Sequence, residues 1–233
     1  MIRASMRLAR NGALVLLALF IGYQLWLMAH VLWWVDHNPA SSSFMEAGLA
    51  RLQETDPTAL LHHKWVPYDK ISIQLKRAIV AAEDSKFLDH EGFDWEGIQN
   101  AAEKNLKKGR LVAGGSTISQ QLAKNLFLSG RKSLLRKGEE AIITLMIENV
   151  MHKRRILELY LNIIEWGDGI YGAEAASQHY FKTSVANLNA EQAAALAAMV
   201  PNPRWYEDHL ASRKYQHRIA VIAARMHYVQ VPK

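Results

Sequence analysis

Two carboxylates and a set of cations are the residues whose types and spacing allow chemistry. Glu83 closes an apolar run and opens the stretch EDSKFLDHEGFD, residues 83–94. A carboxylate beside apolar side chains has its charged form disfavoured, which suits a general base. If the helix before it continues, Glu83, Phe87 and His90 share one face. Glu140 ends RKGEE, residues 136–140, with Arg136 four and Lys137 three residues before it. That is the spacing of a helical ion pair, which by itself braces a helix by about 0.2–0.5 kcal/mol. Its surroundings point further. From Lys124 through Arg131, Lys132 and Arg136 to Lys137 every formal charge is positive. Cations without counter-ions suit a phosphate or diphosphate.

These groups need elements to hold them, and the clearest is GGSTISQQLAKN, residues 114–125. Thr117 with Gln120 three residues on fits a capping box, a helix start. Drawn as a helix, Thr117, Gln120, Gln121 and Lys124 share a polar face, while Ile118, Leu122 and Leu126 line another. A glycine loop feeding such a helix start, with a lysine further along, is an expected anion cradle. Other matches carry nothing. Residues 129–132 fit S-x-x-K, and residues 182–184 read KTS, close to K-T-G, but the roughly fifty residues between them hold no transpeptidase. His62 and His63 lack metal-ligand spacing, and there is neither a Walker loop nor a dinucleotide fingerprint.

The 233 residues suit a membrane anchor plus one domain with its own core. With no cysteine, disulfides and Cys-based metal sites are excluded. Residues 12–35, GALVLLALFIGYQLWLMAHVLWWV, carry no formal charge, and spanning a bilayer takes ~20 such residues. Trp33 and Trp34 mark one end as interfacial anchors do; Arg3, Arg7 and Arg10 precede the other. Positive-inside logic puts residues 1–11 in the cytoplasm and residues 36–233 outside. A cleaved signal peptide is disfavoured, because the run is too long and lacks a small-residue cleavage site. The net charge of +6 suits anionic partners, yet the part beyond the anchor keeps 25 basic against 22 acidic residues, so any positive patch is local.

Residues 36–64 read as linker and lead-in, with a short helix at 44–53, and the globular domain is expected over 65–233. Helical periodicity predicts helices at 73–87, 95–107, 118–126, 134–151, 155–164, 173–180, 188–199 and 212–228. Ile156, Leu157, Tyr160, Ile163 and Ile164 are expected core, and Glu158, Asn162 and Glu165 are expected to brace the fold. Gly167, Gly169 and Gly172 are expected to loosen the chain. The basic, partly apolar residues 106–112 suit either a headgroup-dipping segment or a solvent loop. Alternation of period two is almost absent, so the expected class is mainly α.

Read together, EDSKFLDHEGFD, GGSTISQQLAKN, RKGEE and RILELYLNIIEWG (residues 155–167) resemble the peptidoglycan glycosyltransferases, family 51 of the glycosyltransferases. The resemblance covers about residues 65–203. With one anchor and no transpeptidase, the chain is similar to the family's monofunctional members. The resemblance implies a lysozyme-like helical domain behind one transmembrane helix, set in the bacterial inner (cytoplasmic) membrane with the domain in the periplasm. It implies lipid II and a growing glycan chain as substrates. The reaction would form β-1,4 bonds with inversion and release undecaprenyl pyrophosphate. Glu83 then matches the general base and Glu140 the second glutamate, which assists at the diphosphate directly or through a divalent cation (Mg or Mn). Lys124, Lys132, Arg136 and Lys137 match diphosphate-holding positions. Asp84, Phe87, Ser116, Thr117, Gln120 and Gln121 are further expected substrate-binding residues. Lys132 stands where relatives carry arginine and lacks its bidentate geometry, with Arg131 next door as a substitute. No dedicated metal site and no nucleic acid partner are expected; wall-synthesis or division proteins are candidate partners. Two other classes compete: a lysozyme-like hydrolase, which has no need of a diphosphate cradle, and an inactive wall-synthesis scaffold, against which the glutamate pair argues.

Overall fold

A computed structural model describes residues 2–110, 114–131 and 133–233. It divides into two units, Met1–Asn38 and Pro39–Lys233. The first is one helix, α1 (Ile2–Trp33), whose apolar part Met6–Trp33 is long enough to cross a membrane. The helix starts well before residue 12, because arginine is a good helix former and hydropathy does not register helix ends. An apolar helix of this length fits a single-pass membrane anchor.

The second unit is mainly helical. It contains α2 (Ser43–Gln53), α3 (Ile73–Glu83), α4 (Trp95–Lys108), α5 (Ile118–Phe127), α6 (Leu134–Val150), α7 (Lys153–Ile163), α8 (Ala173–Phe181), α9 (Ala190–Met199), α10 (Pro203–Glu207) and α11 (Arg213–Arg225). Helix α5 packs on α2, α6 and α7, while α3, α9 and α11 pack on one another. On α5 the apolar stripe of Ile118, Leu122 and Leu126 is buried, as its spacing predicts. Unit two begins at Pro39, so residues 39–64 belong to the packed domain and are not a linker. Their helix α2 lies on α5 with Met45 and Gly48 buried.

Two differences from the sequence reading matter for the site. A small sheet of order β1-β3-β2 joins β1 (His62–His63), β2 (Glu165–Gly167) and β3 (Ile170–Tyr171). Strands of two or three residues are too short for an alternating pattern to show. Where glycines were expected to loosen the chain, Gly169 (φ +74) makes the β2–β3 turn, and Gly172 (φ +81) lets the chain pass the Asn162 carbonyl. Asn162 braces the lead-in as expected: its amide accepts from the Val66 N–H (2.8 Å) and donates to the Val66 carbonyl (3.0 Å).

The second difference is that α3 stops at Glu83 instead of running to residue 87. Asp84 leaves helical geometry at φ −162. Its carboxylate instead reaches 34 residues along the chain to the Ile118 N–H, at 3.0 Å, and meets His90 Nε2 at 2.9 Å. Glu83, Phe87 and His90 therefore do not share a helix face.

Candidate active site

The site starts where α3 ends. Glu83 is the last residue of that helix, and its side chain is 10% exposed. One carboxylate oxygen accepts from the Gln121 amide on α5 at 2.9 Å, the other from Arg218 on α11 at 3.1 Å. Gln121 is in turn fixed, because its carbonyl oxygen accepts from the buried Tyr160 hydroxyl on α7 at 2.8 Å. Burial pushes the Glu83 carboxyl above the ordinary glutamate value and Asp84 adds to this; the Gln121 hydrogen bond and the Arg218 and Lys124 charges pull the other way without cancelling it. The result is a carboxylate held in place by two donors and more basic than an exposed one.

One turn beyond Gln121 on α5 stands Lys124. Among the described residues it makes no hydrogen bond or ion pair, and its ammonium lies over the Phe44 ring at 5.2 Å. Burial pulls that ammonium below the ordinary lysine value; Glu140 opposes this, while Arg136 and Lys137 add to it. Helix α6 supplies the rest. Glu140 is 3% exposed and accepts from Arg136 Nη1 at 2.7 Å and from Lys137 Nζ. Lys137 also reaches the Ser116 hydroxyl at 3.4 Å. Two cations thus pair with one buried carboxylate and Lys124 stands near enough to feel all three charges, so the set remains net positive.

Two cavities flank the Glu83–Gln121 hydrogen bond. One, about 340 Å³, is lined by Glu83, Asp84 and Ser116 among others. The other, about 150 Å³, is lined by Gln121, Lys124, Asn125 and Phe44 among others. A basic carboxylate faces the first and a half-buried cation the second, an arrangement suited to taking a proton on one side and steadying an anion on the other.

Of the residues expected from sequence, the fold brings together Glu83, Gln121, Lys124, Arg136, Lys137, Glu140 and Ser116. Others hold the scaffold. Thr117 and Gln120 form the predicted capping box, and the Thr117 hydroxyl also donates to the Gly92 carbonyl at 2.7 Å. That box corrects the expected anion cradle at the helix start, because the Ile118 and Gln120 N–H groups are taken by Asp84 and Thr117. The positive charge near this helix comes from side chains instead. Asp84 is the strut described above. Phe87 is 1% exposed and lies in the core under the Lys153 ammonium, at 4.7 Å, so it offers no face to a ligand. Lys132 lies outside the described residues, as do positions 111 and 112 of the segment considered for headgroup contact; Leu106 in that segment is 85% exposed.

Sequence reasoning missed Arg218 and the hydroxyl of Tyr160. Tyr160 sits at a core position of α7 and reads as core. Arg218 lies 135 residues from Glu83 on a helix with many basic residues, so nothing in its spacing singles it out. As for a divalent cation, both oxygens of Glu140 are occupied by Arg136 and Lys137. Among the described residues no group of three acid or imidazole side chains is placed to hold an ion. These residues do not fit a resident metal.

A carboxylate made more basic by burial, beside a cation cluster on a mainly helical domain, is an arrangement suited to group transfer. The transglycosylase family profile matches residues 51–227, and the chain belongs to that family, a group of glycosyltransferases with a lysozyme-like helical fold. It is 64% identical over 223 residues to a biosynthetic peptidoglycan transglycosylase of Thiobacillus denitrificans, covering 96% of each chain. Proteins of the same description from Methylobacillus flagellatus and Chromobacterium violaceum are 59% and 61% identical, with coverage of 93–97% of each chain.

Proposed function

We propose that this chain polymerises lipid II, a disaccharide-peptide on undecaprenyl pyrophosphate, into β-1,4 glycan of peptidoglycan. The observation that carries this reading is the Gln121 bridge, which has a burial-raised carboxylate on one side and the partly buried Lys124, with Arg136 and Lys137 near it, on the other. Glu83 takes the proton of the acceptor 4-hydroxyl as its oxygen attacks C1 of the donor sugar. The bond from C1 to the diphosphate breaks and the electron pair leaves with the diphosphate, whose growing charge Lys124, Arg136 and Lys137 stabilise. Attack opposite an α-linked leaving group gives a β bond in one displacement. Glu140 keeps Arg136 and Lys137 in position between turnovers.

The anchor serves the same reaction. A lipid-borne substrate stays at the bilayer surface, where an anchored enzyme meets it in two dimensions. The three arginines before the apolar run support a cytoplasmic N-terminus and a periplasmic domain, in the inner membrane. The test is incubation of the full chain with lipid II in bilayers. Muramidase-sensitive polymer with release of the lipid diphosphate is expected. Soluble muropeptides released from finished sacculus would favour a hydrolase instead, and no reaction with either would favour a scaffold.

A further inference from the structure

A separate cavity of about 470 Å³ shares no lining residue with the two that flank the Glu83–Gln121 hydrogen bond. It is framed by the end of α8, the start of α9, the turn before α11 and the first half of α11. Three aromatic rings form its apolar wall, Tyr180 and Phe181 from α8 and Tyr215 from α11. Two of the rings are held by their hydroxyls. Tyr180 donates to the Trp166 carbonyl at 2.9 Å, and Tyr215 donates to the Ala195 carbonyl at 3.0 Å. A wall fixed in this way loses little freedom when a ligand lies on it.

The polar part of the lining is three amides and one carboxylate. Asn189 and Gln192 form the capping box of α9: the Gln192 N–H donates to Asn189 Oδ1 at 2.9 Å, and the Asn189 N–H to Gln192 Oε1 at 3.1 Å. Among the described residues their side-chain NH2 groups make no hydrogen bond. Gln216 donates to the Leu210 carbonyl at 2.8 Å, which leaves its amide oxygen to accept. Glu191 makes no hydrogen bond or ion pair among the described residues. Spare donors and spare acceptors thus border an aromatic wall. No Lys, Arg or His is among the described residues that line the cavity, so a diphosphate finds no counter-charge there.

This lining matches the chemistry of a sugar. A sugar ring has a C–H face that lies on aromatic rings, and a rim of hydroxyls that each donate and accept. The volume falls within the roughly 300–1,000 Å³ of small-ligand sites, whose few polar groups set orientation. We propose that this cavity is a second saccharide site, which holds a short stretch of the β-1,4 glycan away from Glu83. The choice of glycan as the saccharide rests on the glycosyltransferase reading above. Helix α11 borders both places. Its Tyr215, Gln216 and Ile219 line the cavity, and Arg218 of the same turn reaches Glu83. A strand gripped here stays close to the site that extends it, so it is released less often and grows longer.

The probe is chitotetraose, a soluble β-1,4-linked tetramer of N-acetylglucosamine, titrated by calorimetry into the full chain in lipid nanodiscs. In Glu191→Ala/Gln216→Ala its Kd is expected to rise roughly tenfold, the worth of two ordinary hydrogen bonds. Ala195→Phe fills the cavity from α9 and is expected to weaken binding at least as much. Melting temperatures like the wild type's show that the variants are folded. With lipid II both variants should consume substrate at the wild-type initial rate and release shorter glycan. An unchanged Kd in a folded variant overturns the proposal, as does a wild type that does not bind the tetramer. Glycan of wild-type length from a variant that has lost the tetramer overturns the grip on the product. A wild type that binds the tetramer in this cavity but makes no polymer from lipid II overturns the glycosyltransferase reading and leaves the saccharide site standing.

Discussion

Glu83→Gln tests the site most directly, because its effects on rate and on stability have opposite signs. Glutamine has the shape of a protonated glutamate, so the packing at the end of α3 is retained. It cannot take a proton at neutral pH. Loss of a positioned general base lowers rates by about 10²- to 10⁴-fold, equivalent to ~2.7–5.5 kcal/mol of barrier. Stability should move the other way. The Glu83 carboxyl lies above its ordinary value because burial disfavours the charge. Between the unfolded and folded values, the folded state binds more protons than the unfolded state. Stability therefore falls as pH rises through that window, and above it the ionised Glu83 costs the fold free energy. Glu83→Gln removes this cost, so its melting temperature should exceed the wild type's at pH 7. The difference should shrink as pH falls to where the wild-type carboxyl is protonated in both states. In the wild type, the rate should rise with pH through the elevated Glu83 value, since only the carboxylate accepts the proton. The assays are polymerisation of lipid II at a series of pH values and thermal melts at neutral and acid pH. Near-wild-type polymerisation by the variant would refute the base assignment. A lower melting temperature at pH 7 would refute the argument from burial.

Three further variants probe the supports. Arg218→Met removes a charge that pulls the Glu83 carboxyl down, so the acidic limb of the pH–rate profile should move to higher pH, with partial return in Arg218→Lys; an unmoved limb would rule out tuning by Arg218. Glu140→Gln leaves Arg136 and Lys137 without their shared carboxylate. Breaking a buried pair costs about 3–5 kcal/mol, but the Lys137 side chain is 45% exposed, so screening should reduce the loss to roughly 1–3 kcal/mol, measured by urea unfolding; unchanged stability would show that the cations do not depend on Glu140. Asp84→Ala frees the Ile118 N–H and strands His90, and should cost ~1–2 kcal/mol by the usual worth of a helix cap. Polymerisation should fall as well, since α5 carries Gln121 and Lys124, whereas Asp84→Asn, which keeps an acceptor oxygen, should be milder; a melting curve that overlays the wild type's would refute the strut.

Features that repeat within a few residues were legible from the chain alone. The uncharged run before Asp36 announces a spanning helix. Thr117 and Gln120 announce a cap because both partners lie in one turn. The stripe on α5, the core positions of α7 and the pairing of Glu140 with Arg136 and Lys137 follow from the 3.6-residue period. The order of the four segments was enough to indicate the family. What the local pattern could not contain was the state of each group. Lys124 reads as a cation of an anion-binding face, but only the fold lays Phe44 of α2 beside it and lowers its ammonium by burial. Thr117 and Asp84 read as ligand contacts until the fold spends them on the start of α5. Phe87 reads as a substrate contact on the Glu83 face until Asp84 breaks the helix and Phe87 is buried in the core. Arg218 joins Glu83 across 135 residues because α3 and α11 pack together. Residue type and short-range spacing thus determined which groups were available. Burial and distant partners, which exist only once helices pack, decided which of them stand as the proposed base and the proposed anion-binding cations and which serve as struts.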